Sequence, residues 1–159
     1  MRKRLLVRAD LCSGCGACEL ACAIAKTGQY HPARARIRVR REKVLGSYTL
    51  HVCSHCVDAP CITACLMNII EKQPGTGLVA RRVEQCIGCR ACQVACPFDA
   101  SCYDDGDEVV VNCDCCGGEP ECVRYCPTGA LQYGILDTEI GRRRANEGLK
   151  RLWPGEGSG

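Results

Sequence analysis

Apolar positions along the chain come in short runs broken by polar residues, and the runs predict short elements. Arg34-Ala-Arg-Ile-Arg-Val-Arg40 alternates strictly, which places Ala35, Ile37 and Val39 on one face of a strand and Arg34, Arg36, Arg38 and Arg40 on the other. Residues 4–8 read as a first short strand, with 131–133 near the far end as its partner. Pro74-Gly-Thr-Gly77 predicts a hairpin turn between strands at 69–72 and 78–81, and Asp104-Asp-Gly-Asp107 a second turn leading into 109–111. Short helices are expected over 17–26, 59–65, 90–96 and 121–126. Residues 137–159 read as a peripheral C-terminal helix and tail, with Ile140, Leu149, Leu152 and Trp153 available to pin it to a surface. The fold class is α+β.

Composition then removes the usual source of stability. In 159 residues there are 18 cysteines, about 11% of the chain, whereas all aromatics together reach 4%. One small domain, or two very small ones, cannot build an ordinary core without large rings. Disorder is equally excluded, because 47% hydrophobic residues with a net charge of +3 is no signature of an unfolded chain. The cysteines must hold the fold.

Sixteen of them sort into quartets. Cys12, Cys15, Cys18 and Cys22 are spaced C-x2-C-x2-C-x3-C, and Cys86, Cys89, Cys92 and Cys96 repeat that spacing with Pro97 behind. Cys53, Cys56, Cys61 and Cys65 have a four-residue middle gap; Cys113, Cys116, Cys122 and Cys126 have five, followed by Pro127. Asp10-Leu-Cys-Ser-Gly-Cys-Gly-Ala-Cys-Glu-Leu-Ala-Cys22 aligns with Glu84-Gln-Cys-Ile-Gly-Cys-Arg-Ala-Cys-Gln-Val-Ala-Cys96, so the chain is an internal repeat. Cys102 and Cys115 are left over and read as small buried hydrophobes.

Three cysteines at every third position of a tight loop present three sulfurs to one face of a cuboidal [4Fe–4S] cluster, and the fourth iron is held from elsewhere. Gly14 and Gly88 lie inside such loops, where a missing Cβ permits positive φ and close backbone approach to the cluster. Zinc is the competing reading, but structural zinc sites commonly use two C-x2-C pairs about 15–20 residues apart. The wider gaps of the second and fourth quartets leave zinc more room there. Disulfides rank below zinc, and the absence of C-x-x-C-H excludes covalent haem.

The basic start lacks the apolar run of a signal peptide, and no stretch approaches the roughly 20 apolar residues of a membrane span. A reducing cytoplasm is the expected location, although a chain without its own signal can be exported with a partner. Charge is segregated: residues 1–43 carry eleven Lys/Arg against three Asp/Glu, and residues 99–121 carry eight acids and no base. The arginine ladder is therefore open to three readings: an exposed face that is solvated or paired with the acidic turn at 104–108, a docking surface for an acidic partner, or a nucleic-acid surface. Each thiolate-bound cluster carries roughly −2, so four would turn the net charge to about −5. Catalysis by the chain is not expected. No quartet lacks a cysteine, and His31, His51 and His55 have no triad or metal-site spacing; His55, inside the second loop, reads as a hydrogen-bond donor behind the ligands.

From Cys12 to about Tyr133 the chain resembles the four-cluster ferredoxin-type electron-transfer subunits of molybdenum and tungsten enzymes. The motifs that carry the likeness are Cys53-Ser-His-Cys56 with Cys61, Cys96-Pro-Phe98, Cys113-Asp-Cys-Cys-Gly-Gly118 and Cys126-Pro-Thr-Gly-Ala130. His31-Pro-Ala-Arg-Ala-Arg-Ile-Arg-Val39 is similar to the iron–sulfur subunits that accompany tungsten aldehyde oxidoreductases and the related benzoyl-CoA reductases. The resemblance implies two ferredoxin-like two-cluster modules, the second inserted into the first: 1–52 with 108–136 outside, 53–107 inside. It also implies crossed ligation, with Cys126 completing Cys12, Cys15 and Cys18, and Cys22 completing Cys113, Cys116 and Cys122. Likewise Cys96 would complete Cys53, Cys56 and Cys61, and Cys65 would complete Cys86, Cys89 and Cys92. Two departures stand out. Cys65 is followed by Leu66-Met-Asn68 rather than Pro-x-Gly, and Cys115 stands where an apolar residue is usual.

The expected function is single-electron relay through four [4Fe–4S] clusters between a tungsten or molybdenum catalytic subunit, of aldehyde oxidoreductase type, and a flavin or other redox subunit. A hydrogenase or carbon-monoxide dehydrogenase partner is the alternative from the same chemistry. A zinc-stabilised nucleic-acid or protein-binding module is the alternative from another class. Neither a membrane span nor nucleic acid belongs to the leading reading.

Overall fold

The computed structural model describes residues 3–42 and 46–135. Among these, eight strands form four separate antiparallel pairs. β1 (Lys3–Val7) pairs with β8 (Leu131–Ile135), setting Val7 opposite Leu131 and closing the two ends of the described chain on each other. β2 (Ile37–Arg41) pairs with β3 (Tyr48–Val52), β4 (Ile70–Lys72) with β5 (Val79–Arg81), and β6 (Cys102–Asp104) with β7 (Val109–Val111). Both expected hairpins are present. The expected helix over 137–153 lies outside the described residues.

α1 (Ala17–Thr27) runs 11 residues between Gly16 and Gly28, each in the left-handed region at φ 74° and 68°. The other three helices are single turns: α2 (Pro60–Thr63), α3 (Ala91–Val94) and α4 (Glu121–Arg124). Here the sequence expectation needs correcting. Only α1 carries the fourth cysteine of its quartet, Cys22; Cys65, Cys96 and Cys126 lie beyond the ends of their helices. Pro97 and Pro127 push the residue before them out of the helical region, so those helices must stop early. All three chains then turn alike, with the amides of Asn68, Asp99 and Gly129 donating to the carbonyls of Cys65, Cys96 and Cys126 at 3.2, 3.3 and 3.4 Å.

The arginine ladder becomes a strand only from Ile37; Pro32–Arg34 is a 3-10 turn. Its apolar face behaves as the alternation demands, Ile37 facing Val52 and Val39 facing Leu50. The partner β3 was legible in Tyr48, Leu50 and Val52 alternating with Thr49 and His51, but is missing from the sequence reading. The polar face pairs internally. Arg34 bonds Asp104 and Asp107, each at 2.6 Å; Arg36 bonds Asp114 at 2.8 Å; Arg40 bonds Asp99 at 3.0 Å. Arg38 donates to the carbonyls of Ala33 and Ala35. Of the three readings of the ladder, pairing is what the geometry shows, and the acids reach beyond the 104–108 turn to Asp99 and Asp114. The segregated charges of the sequence thus meet in space.

Two small cores result. Leu5, Ala23, Ala35, Ile37, Val52 and Leu131 form the first, interleaved with Cys18, Cys22, Cys113, Cys115 and Cys122. Ala59, Ile69, Ile70, Val79 and Val110 form the second, with Cys61 and Cys92. Buried Arg4 ties β1 to the β4–β5 turn, donating to the carbonyls of Thr76 and Gly77 at 3.0 and 2.9 Å. Neither core has a Phe or Trp, and cysteine sulfur fills the space that rings would fill elsewhere.

Candidate metal centres

Each quartet opens with a Cys-x-x-Cys loop, and in all four the second intervening residue has positive φ. Gly14 and Gly88 take it at 72° and 66°, as the sequence suggested; His55 and Cys115 take it at 49° and 55°. The crowding at the glycines comes from protein. A Cβ on Gly14 would lie 2.2 Å from the Tyr48 ring, and one on Gly88 2.5 Å from the Glu108 carbonyl oxygen. Side chains at this position in the other two loops point inward and meet. His55 Nε2 lies 3.6 Å from Cys115 Sγ, and both residues are buried. Sequence reasoning missed this contact, although their shared place in the repeat was a usable signal.

Three cavities are each lined by four quartet cysteines drawn from two different motifs. One collects Cys12, Cys15, Cys18 and Cys126; another Cys22, Cys113, Cys116 and Cys122; a third Cys65, Cys86, Cys89 and Cys92. In the remaining set Cys61 lies in electrostatic reach of Arg81, Cys96, Cys56 and Cys92, and Cys53 in reach of Cys113, Cys61 and Cys56. α2 packs against α3, which brings those loops together.

Six of the sixteen quartet cysteines are buried and eight half-buried, while Cys15 and Cys89 are exposed. Burial pushes the Cys18 and Cys53 thiols up to about 12 and Cys22 up to about 11. Burial disfavours the thiolate, so these sulfurs can ligate as thiolates only with a neutralising cation beside them, which bound metal would supply. Backbone N–H groups point at several: Arg36 to Cys22 at 3.2 Å, Ala100 to Cys96 at 3.4 Å, Cys115 to Cys113 at 3.4 Å and Val110 to Cys86 at 3.5 Å. Such donors stabilise negative charge on sulfur.

An all-sulfur donor set fits zinc or iron–sulfur, and spacing separates the two. Four thiolates on one zinc, each about 2.3 Å from the ion, lie about 3.8 Å from one another. Among the described residues the group whose ligand atoms converge within 4.8 Å is His55, Cys113 and Cys115, which is not a quartet. Among the described residues no three sulfurs of one quartet converge that closely, as a single zinc would require.

Residues 44–136, more than half of the chain, match the 4Fe–4S dicluster domain family. The chain belongs to that family. Its cofactors are [4Fe–4S] clusters, and sixteen cysteines in four quartets suit four of them. This dicluster-family chain is 41% identical over 122 residues to the polyferredoxin-like subunit of an aliphatic sulfonate oxidoreductase from Pyrococcus furiosus, covering 77% of this chain and 70% of that one. It is 36% identical over 124 residues to the beta subunit of the NADH-dependent phenylglyoxylate dehydrogenase of Aromatoleum evansii, covering 77% of this chain but 28% of that one. The electron transfer subunit PhsB of the thiosulfate reductase of Salmonella typhi is 32% identical over 145 residues, covering 82% of this chain and 75% of that one. Among solved structures, a component of the active-site complex BamBC of benzoyl coenzyme A reductase superposes with a TM-score of 0.50 at 22% identity, covering 96% of this chain and 92% of that one. At that identity the likeness shows the fold alone. Among the described residues no helix is long and apolar enough to cross a membrane.

Proposed function

We propose that this chain is a non-catalytic, cytoplasmic subunit that relays single electrons through four [4Fe–4S] clusters. Its partners are a tungsten or molybdenum catalytic subunit, of aldehyde oxidoreductase type, and a second redox subunit, flavin-bearing or otherwise. The observation that carries the reading is the make-up of the three cavities, each pairing a cysteine triad with one cysteine from another motif. The same observation supports the crossed ligand sets. Cys126 serves Cys12, Cys15 and Cys18; Cys22 serves Cys113, Cys116 and Cys122; Cys65 serves Cys86, Cys89 and Cys92; and Cys96 serves Cys53, Cys56 and Cys61.

The two cores support the inserted arrangement. The first draws on both ends of the described chain, the second on its middle. The pairing of β7 with β6 and the place of Val110 in the second core favour a boundary near 111 over the expected 107.

When bound, each cluster exchanges one electron. The chain's own residues set the conditions for that exchange. Buried sulfurs hold the clusters out of water, backbone amides donate to ligand sulfur, and the basic segment offsets the negative charge that four clusters bring. Relatives named as subunits of larger oxidoreductases support the placing in such a complex.

Anaerobic purification followed by metal and sulfide analysis tests the reading. It expects about sixteen iron and sixteen acid-labile sulfide per chain, with tungsten or molybdenum in a co-purifying large subunit. A zinc-dominated, colourless protein would overturn it.

A further inference from the structure

Arg81, at the end of β5, donates in three directions: Nη1 to Cys92 Sγ at 2.9 Å, Nε to Asn112 Oδ1 at 2.5 Å and Nη2 to Ser101 Oγ at 2.7 Å. Asn112 is buried and fixed in turn, its amide donating to the carbonyls of Val79 and Cys113, each at 2.9 Å. The guanidinium therefore cannot swing away from the sulfur without breaking two further bonds. Cys22, Cys86 and Cys96, by contrast, accept from neutral backbone amides. The contact at Cys92 differs in kind, because a charged donor makes a bond roughly twice as strong as a neutral one and adds a full positive charge.

We propose that Arg81 raises the reduction potential of the cluster held by Cys86, Cys89, Cys92 and Cys65 relative to the same cluster without the guanidinium. The inference rests on the ligand sets proposed above. Its physical basis is differential stabilisation: adding an electron makes the ligand sulfurs more negative, and a fixed cation with a hydrogen bond favours the more negative state. The planar fork is anchored on Asn112 and Ser101 as well as on Cys92.

The test is an anaerobic redox titration, followed by electron paramagnetic resonance, of the full chain and of Arg81→Gln and Arg81→Lys. Wild-type iron content checks the cluster reading; the change in potential checks the role of Arg81. With iron content retained, Arg81→Gln should lower one midpoint. At the potential that half-reduces the wild-type centre, its reduced-to-oxidised ratio should be at least about tenfold lower, a shift of about 59 mV for one electron. Arg81→Lys, which keeps charge but not the fork, should shift the same centre less. Full iron with every midpoint unchanged in Arg81→Gln would overturn the proposal. If that variant loses iron, Arg81→Lys and Ser101→Ala decide. A fall of one midpoint in both supports the assignment, and no shift in either removes it. Zinc in place of iron in the wild type would instead remove the cluster reading beneath it.

Discussion

The Nε2 of His55 faces the Sγ of Cys115 at 3.6 Å, joining the second cysteine loop to the fourth. His55 Nδ1 accepts from the Val79 amide at 3.0 Å, which leaves the ring proton on Nε2, directed at Cys115. The imidazole thus links β5 to both loops. His55→Leu leaves the Val79 N–H without its acceptor, a loss of about 1–3 kcal/mol when buried. His55→Asn tolerates positive φ and can still accept, so it should recover part of that loss. The midpoint for loss of cluster absorbance in anaerobic denaturant measures both. Equal midpoints for wild type and His55→Leu would show that the contact contributes nothing.

Gly14 and Gly88 share a conformation but not a neighbour. Alanine at either position meets a left-handed penalty of about 1–2 kcal/mol. At Gly14 the added Cβ strikes a side chain, the Tyr48 ring, whereas at Gly88 it strikes the backbone oxygen of Glu108. Removing the ring should therefore rescue one variant and not the other. Gly14→Ala with Tyr48→Leu is expected to bind more iron than Gly14→Ala alone. No side-chain change near Gly88, Tyr103→Leu included, should restore Gly88→Ala. Rescue of Gly88→Ala by Tyr103→Leu would contradict the geometry.

The cysteines that line the three cavities were legible from their spacing in the sequence. The pairing of residues 4–8 with 131–133 and the two hairpins were legible from alternation and turn residues. What stayed hidden was backbone conformation at unusual residues. Asn68 replaces the glycine of Cys126-Pro-Thr-Gly129, and the sequence left the chain path after Cys65 open. Asn68 adopts φ 52°, Asp99 φ 48° and Gly129 φ 68°, so the same left-handed turn follows three of the fourth cysteines. Asn and Asp enter this region more readily than other side chains, which is why the motif survives without glycine. Asn68→Gly should accordingly change the denaturant midpoint little, while Asn68→Val should cost about 1–2 kcal/mol or more. Equal stability of the two would break the argument.

Asp104 gives the charge pairing a pH signature. Burial pushes its carboxyl up, but Arg34 at 2.6 Å and the Gly106 amide at 3.0 Å outweigh it and hold the carboxyl below its ordinary range. A folded-state pKa below the unfolded value of about 3.9 means stability that is present above that value and lost as pH falls through the folded one. Asp104→Asn should therefore be less stable than wild type near neutral pH, with the gap closing in acid. Urea midpoints measured for both proteins from neutral pH downward give the comparison. A gap that stays constant with pH would mean that the ionised carboxylate is not what stabilises the turn.

Crossed ligation makes the sharpest demand on spectroscopy. Cys22 follows Cys18 by one turn of α1, yet it lines the cavity of Cys113, Cys116 and Cys122, where it accepts from the Arg36 amide at 3.2 Å. The cavity of Cys12, Cys15 and Cys18 is completed by Cys126, from beyond α4. Four residues along α1 set Cys22 about 6 Å further along the helix axis than Cys18, on the same face, and there it lines the neighbouring cavity. Replacing Cys22 by serine should perturb the same paramagnetic centre as Cys116→Ser and leave intact the centre that Cys15→Ser alters. Cys126→Ser should do the reverse, sharing its altered centre with Cys15→Ser. If Cys22→Ser and Cys15→Ser disturb one common centre while Cys116→Ser disturbs another, each quartet closes on itself and the crossed arrangement is wrong.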